Sequence, residues 1–141
     1  MKTKAIVTLA DSNYFELLKE LIGSIKKHRE SKDISICVLD AGLTESQINE
    51  IKEKVYSIKK AKWDIEVPEY KVTGKEWLKS QVSRAFLPNY FPEFEKYLWI
   101  DCDAWVNSWE TIDLYFEACK NGKLGITQTI GPGYKILTRV Q

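Results

Sequence analysis

The feature that most constrains the fold is a short run, Tyr97-Leu98-Trp99-Ile100, halted by Asp101-Cys102-Asp103. The run is continuously apolar and of strand length. That pattern suits a central parallel strand covered on both faces, whereas a half-solvated strand alternates. A strand of this kind demands helices above and below it, and the sequence around it supplies them.

Lys4–Leu9 is a β-branched run that ends at Asp11-Ser12-Asn13. Asn13 with Glu16 marks a helix start, and Phe15, Leu18, Ile22 and Ile25 share one face of a helix over 14–27. Ile34–Leu39 reads as the second strand, closed by Asp40-Ala41-Gly42. Thr44 and Gln47 form a capping box ahead of Ile48, Ile51, Val55 and Ile58 at helical spacing. Trp63, Ile65 and Val67 alternate as a short strand before Pro68. Thr73 with Glu76 predicts a helix to about Leu87, with Trp77, Leu78, Val82, Ala85 and Phe86 as its apolar side. After the acidic stop come a helix over 108–119, a last strand over 123–130 and a Gly131-Pro132-Gly133 loop. The alternation predicts one three-layer α/β domain over 1–141 with a mostly parallel sheet.

Composition narrows the class. The chain has 141 residues, with Lys+Arg 21 against Asp+Glu 20 and a net charge of +1, so no overall field directs it to nucleic acid or an anionic membrane. The N-terminal apolar stretch stops at Asp11, too short for a signal-peptide core, and no run reaches the roughly 20 apolar residues of a membrane span. Cys37, Cys102 and Cys119 form no CxxC pair and read as reduced thiols, so the expected location is the cytoplasm.

Three strands end in acids: Asp11, Asp40, and the pair Asp101 and Asp103. In open α/β sheets ligands bind outside the carboxyl ends of the strands. Any one of these Asp residues suits a loop or cap. The pair is different, because residues i and i+2 of an extended segment face one way and two carboxylates side by side call for a cation. Oxygen donors favour Mg²⁺, Mn²⁺ or Ca²⁺, and a metal held by two carboxylates keeps open positions for water and phosphate. Arg84 is placed to pair with phosphate, against the alternative of a solvated helix residue. Tyr14 or Tyr134 offers a ring for a nucleobase, against the alternative of packing. His28, amid Lys26, Lys27 and Arg29, reads as a solvated helix end.

Four blocks together resemble glycosyltransferase family 8. Ala5–Tyr14 is similar to its first strand and nucleotide loop, Val38–Thr44 to its second strand and turn, Ser83–Pro88 to its ARL/RF helix, and Tyr97–Val106 to its YLDxDxxV segment. The resemblance spans about residues 4–130. It implies a GT-A fold binding a nucleotide-diphosphate sugar, UDP-linked, through Mn²⁺ or Mg²⁺, with transfer to a carbohydrate, glycolipid or protein acceptor and retention at the anomeric carbon. It also implies that Asp101 and Asp103 hold the metal, with Asp101 near the ribose. Arg84 would meet the diphosphate or the donor sugar. Asp11, Asn13 and Tyr14 would cradle the nucleoside, with Asp40 and Ala41 lining the donor pocket.

The chain departs from the family in lacking a C-terminal His as third metal ligand and an acceptor-side segment. The expectation is therefore a nucleotide-binding portion that ends short of the family core. It would transfer little sugar alone and would self-associate through its open sheet edge. The alternatives are a non-catalytic nucleotide-sugar-binding or remnant domain, and a phosphatase using the first Asp of the Asp-x-Asp pair as nucleophile. The second needs a later Lys and acidic pair after a long insertion, and only Asp113 and Glu117 offer an acidic pair.

Overall fold

A computed structural model describes residues 3–127. Its core is a four-stranded, all-parallel sheet in the order β3-β2-β1-β4. The strands are β1 (Lys4–Ala10), β2 (Ser35–Asp40), β3 (Ser57–Lys60) and β4 (Lys96–Trp99). The helices are α1 (Phe15–Lys26), α2 (Glu45–Ile51), α3 (Glu69–Val72), α4 (Lys79–Ser83), α5 (Leu87–Tyr90) and α6 (Trp109–Ala118).

β1 and β2 are the buried strands. Ala5 to Ala10 and Ser35 to Asp40 are all buried, as expected of strands covered on both faces. One face packs against α1, α2 and α6 through Ile6, Ile36 and Val38 with Leu18, Ile22, Ile51, Ile112 and Phe116. The other packs Val7, Leu9, Cys37 and Leu39 against Leu87, Tyr90, Phe91 and Phe94. The expected three layers are therefore present.

Local signals explain most element starts. In α1 the buried positions Phe15, Leu18, Leu21, Ile22 and Ile25 recur at three- and four-residue spacing. Its entry is capped by Asp11, which accepts from the N–H groups of Asn13 (2.9 Å) and Tyr14 (3.2 Å); Asn13 is the capped residue, not the cap. The Thr44/Gln47 capping box forms as expected.

Five expectations change. Tyr97 to Trp99 of the run lie in β4 and Ile100 just beyond it; β4 is an edge strand among the described residues and only half-buried along most of its length. The third strand is Ser57–Lys60, not Trp63–Val67. Lys62 is instead held by its N–H to the hydroxyl of Tyr90 (2.9 Å), which donates to Asp64 (2.8 Å), so a side chain rather than a neighbouring strand satisfies this segment. No capping box forms at Thr73, whose hydroxyl donates back to the Glu69 carbonyl. The helical run from Glu76 to Tyr90 alternates α and 3-10 turns and passes through Pro88; its buried positions are Lys79, Ser83, Leu87 and Tyr90, while Trp77 and Ala85 are exposed. Residues 123–127 form no strand, and the rest of the expected last strand, the Gly131-Pro132-Gly133 loop and Tyr134 lie outside the described residues.

Candidate functional site

The strand order places the site. From β1 the chain moves outward to β2 and β3, then returns to the opposite side of β1 as β4. The order thus reverses between β1 and β4, and ligands of parallel α/β sheets settle at such switch points, outside the carboxyl ends. Register sets the details. Val7 pairs with Trp99, and the Ile100 N–H bonds the Val7 carbonyl at 3.0 Å. β4 thus stops three residues before β1 does, and 101–103 run beside the end of β1. The result is a cleft of about 170 Å³ floored by Leu9 and Ala10 and lined by Asp11, Tyr14, Trp77, Arg84, Asp101 and Asp103, with Ser80, Gln81 and Cys102 between them.

Asp101 is fixed from two sides. Its Oδ1 accepts from Arg84 Nη2 (2.8 Å) and from the Trp99 indole N–H (2.8 Å). Arg84 is itself oriented by an Nε–H bond to the Ser80 carbonyl (3.0 Å) and by lying over the Trp99 ring, 5.1 Å from its centroid. Arg84 is exposed, as the solvated alternative has it, but two hydrogen bonds and a ring fix its direction toward Asp101. Asp103 is exposed, and no hydrogen bond or ion pair engages it among the described residues. Both carboxylates face water, with Asp101's side chain 54% exposed, so the pair carries no burial penalty. Cys102 between them points inward. Burial pushes its thiol up to about 11, and the charges of Asp103 and Asp101 add to the shift, so it stays protonated at neutral pH.

Asp40 and Ala41 support the site from behind. Asp40 Oδ1 accepts from Gly42 N–H (2.7 Å) and Leu43 N–H (2.6 Å), and Oδ2 meets Lys60 Nζ (3.2 Å). Burial pushes its pKa up, but the Leu43, Gly42 and Lys60 hydrogen bonds outweigh it and hold the carboxyl below its ordinary value. This turn needs φ +136° at Gly42, a conformation that favours glycine. Gly42's carbonyl accepts the Ser12 N–H at 3.1 Å, and Ala41's N–H bonds Ala10's carbonyl at 3.0 Å, so the second turn braces the first loop. Ala41 is buried, and neither it, Asp40 nor the exposed Asn13 lines the cleft.

The loop after the acidic pair is clamped to α1. Buried Ser24 accepts the Val106 N–H at 3.0 Å, and His28 Nε2 lies 3.2 Å from the Val106 carbonyl, with its ring 5.6 Å from that of Trp109. His28 is thus a half-buried anchor, not a solvated helix end. Among the described residues no group of three His, Cys, Asp or Glu side chains converges as a closed metal site. Trp77, Ser80 and Gln81 were not singled out as site residues from sequence. Their signal was helical spacing: seven, four and three residues before Arg84, they form one stripe with it.

The model of glycosyl transferase family 8 matches residues 5–121. The chain belongs to this family. Among solved structures, a crystal structure of an active-site mutant of LgtC is similar, with TM-score 0.53 and 24% identity over 77% of this chain. That likeness concerns the fold, an α/β architecture of GT-A type with a parallel sheet. The family 8 chain described here spans 41% of the LgtC chain. No curated protein matches it. No helix among the described residues is long and apolar enough to cross a membrane.

Proposed function

We propose that this family 8 chain binds a UDP-linked sugar through a divalent metal, Mn²⁺ or Mg²⁺, and serves its transfer to an acceptor with retention. The observation that carries the reading is the meeting of Asp101, Asp103, Arg84, Asp11 and Tyr14 in one cleft at the switch point of the sheet. The donor set fits a hard cation: two solvent-facing carboxylates, with the remaining positions open to water and diphosphate oxygens. When bound, such an ion supplies Lewis-acid stabilisation of the departing phosphate oxygens.

The chain's own residues have distinct tasks in this reading. Asp103, without a hydrogen-bond or ion-pair partner among the described residues, offers its carboxylate to the metal. Asp101 presents the oxygen that Arg84 and Trp99 leave open. Arg84 sits beside the same point with spare N–H donors for a diphosphate. Tyr14, exposed at the rim, offers a ring face to the base, and Asp11 and Asn13 shape the loop that meets the nucleoside. The test is calorimetry with UDP, GDP and CMP, each with and without Mn²⁺. Tight binding of UDP only with metal is expected. Equal affinity with and without metal overturns the reading.

A further inference from the structure

The near-zero net charge hides one strongly basic surface. At the opposite end of the sheet from the carboxylates, a second cleft of about 550 Å³ opens between the segment leaving α1, the start of β2 and the turn before β3. Lys26, Lys27, Arg29, Lys32 and Lys54 line it, against Asp33 and Glu53. Lys27 lies over the Trp105 ring at 4.6 Å. The other four cations make no ion pair among the described residues, although Glu30, Asp33 and Glu53 are near in sequence. Ion pairs form at Lys19, Lys60, Lys79, Arg84 and Lys120, whereas Lys52, Lys62, Lys71, Lys75 and Lys123 also make none among the described residues, so what sets this cleft apart is that five cations line one concavity. The floor is apolar, built from Ile34, Ile36 and Val55.

We propose that this cleft binds a small soluble anion of the phosphate-ester class, at a site separate from the carboxylate cleft. Five cations against two carboxylates leave the cleft net positive, and a positively lined concavity concentrates anions. Arg29 supplies a planar fork for phosphate oxygens, and the lysines supply point charges. Asp33 and Glu53 accept from ligand hydroxyls, a feature suited to a phosphorylated hydroxyl compound. The recess favours a soluble ligand over a bilayer, because a flat membrane surface cannot enter it. Its volume lies within the roughly 300–1,000 Å³ of small-molecule sites. The six residues of β2 separate the two clefts by roughly 20 Å, so both can be filled together.

The experiment is calorimetry with glycerol 3-phosphate, a phosphate monoester that carries hydroxyls, in metal-free buffer at physiological salt. Saturable one-site binding is expected, and excess uridine should not compete with it. Arg29→Ser/Lys32→Ser should weaken it by at least about tenfold, the minimum for loss of one charged hydrogen bond. Lys54→Ser should weaken it in the same direction. The control Lys71→Ser/Lys75→Ser removes the same charge elsewhere and should leave affinity within about twofold, as expected of exposed charges screened beyond a Debye length. Equal loss in the control, competition by uridine, absence of saturation, or binding only to phosphatidylglycerol vesicles run in parallel would each overturn the proposal. Failure of the UDP experiment leaves it standing.

Discussion

Ser24 and Val106 lie 82 positions apart, yet the buried Ser24 hydroxyl accepts the Val106 amide at 3.0 Å. The same hydroxyl donates to the Leu21 carbonyl at 2.8 Å, so it is spent in both directions. Through this bond the body of α1 sets the path of the loop that carries Asp101 and Asp103. Ser24→Ala leaves the Val106 N–H buried without a partner, which costs about 1–3 kcal/mol. Urea unfolding should report that loss. Metal-dependent UDP binding should weaken as well, since the loop loses one of its two ties. An unchanged midpoint would mean that Val106 finds water instead.

Asp103 stands apart from this framework. It is exposed and unpaired among the described residues, so Asp103→Ala should change stability by no more than about 0.5 kcal/mol. Binding of UDP with Mn²⁺ should nevertheless be lost, because one of the two proposed carboxylate ligands is gone. Calorimetry beside thermal unfolding separates the two effects. Retained metal-dependent binding in a folded variant would remove Asp103 from the site.

Arg84 is tested by comparing ligands. Arg84→Ala should weaken UDP more than uridine, by about tenfold to a hundredfold for a charged hydrogen bond worth about 1.5–3 kcal/mol. Arg84→Lys should not restore it. An ammonium cannot hold Asp101 and lie as a plane over Trp99 while presenting further donors. Equal losses for UDP and uridine would leave Arg84 as a support for Asp101 only.

The parts of this molecule legible in sequence are those where independent signals agree. In β1, β2 and α1 the run of β-branched residues, the apolar period and the burial coincide. At α2 the Thr44/Gln47 pair marks the helix start unambiguously. β3 was hidden because an edge strand carries lysines, and Lys59 and Lys60 mask Ser57 and Ile58. The 76–90 segment was misread because its buried side includes Lys79 and Ser83. Lys79 is tolerated there by pairing with Glu76 and lying over Trp63, contacts that no periodicity announces. Asp101 and Asp103 were legible as a cleft pair from the apolar run before them. The grip of Trp99 and Arg84 on Asp101 was not, since it depends on how α4 and the turn after it sit against β4.

Asp40 makes stability depend on acid. Its folded pKa is held below the ordinary 3.8 by the Leu43 and Gly42 amides and by Lys60, against the opposing effect of burial. A carboxylate depressed in the folded state binds a proton more readily when unfolded. Its contribution is therefore fully present above the unfolded value and is lost as pH falls from about 4 through the folded pKa. Asp40→Asn keeps the shape but not the charge. It turns one acceptor into a donor facing Lys60 or the turn amides, so the variant should be less stable at pH 7 by about 1–3 kcal/mol. Because the charge is gone, the variant should also lose less stability between pH 4 and pH 2 than the wild type. Chemical unfolding at pH 7, 4, 3 and 2 for both proteins measures the difference. Parallel curves would mean that the turn at Gly42 holds without the carboxylate's charge.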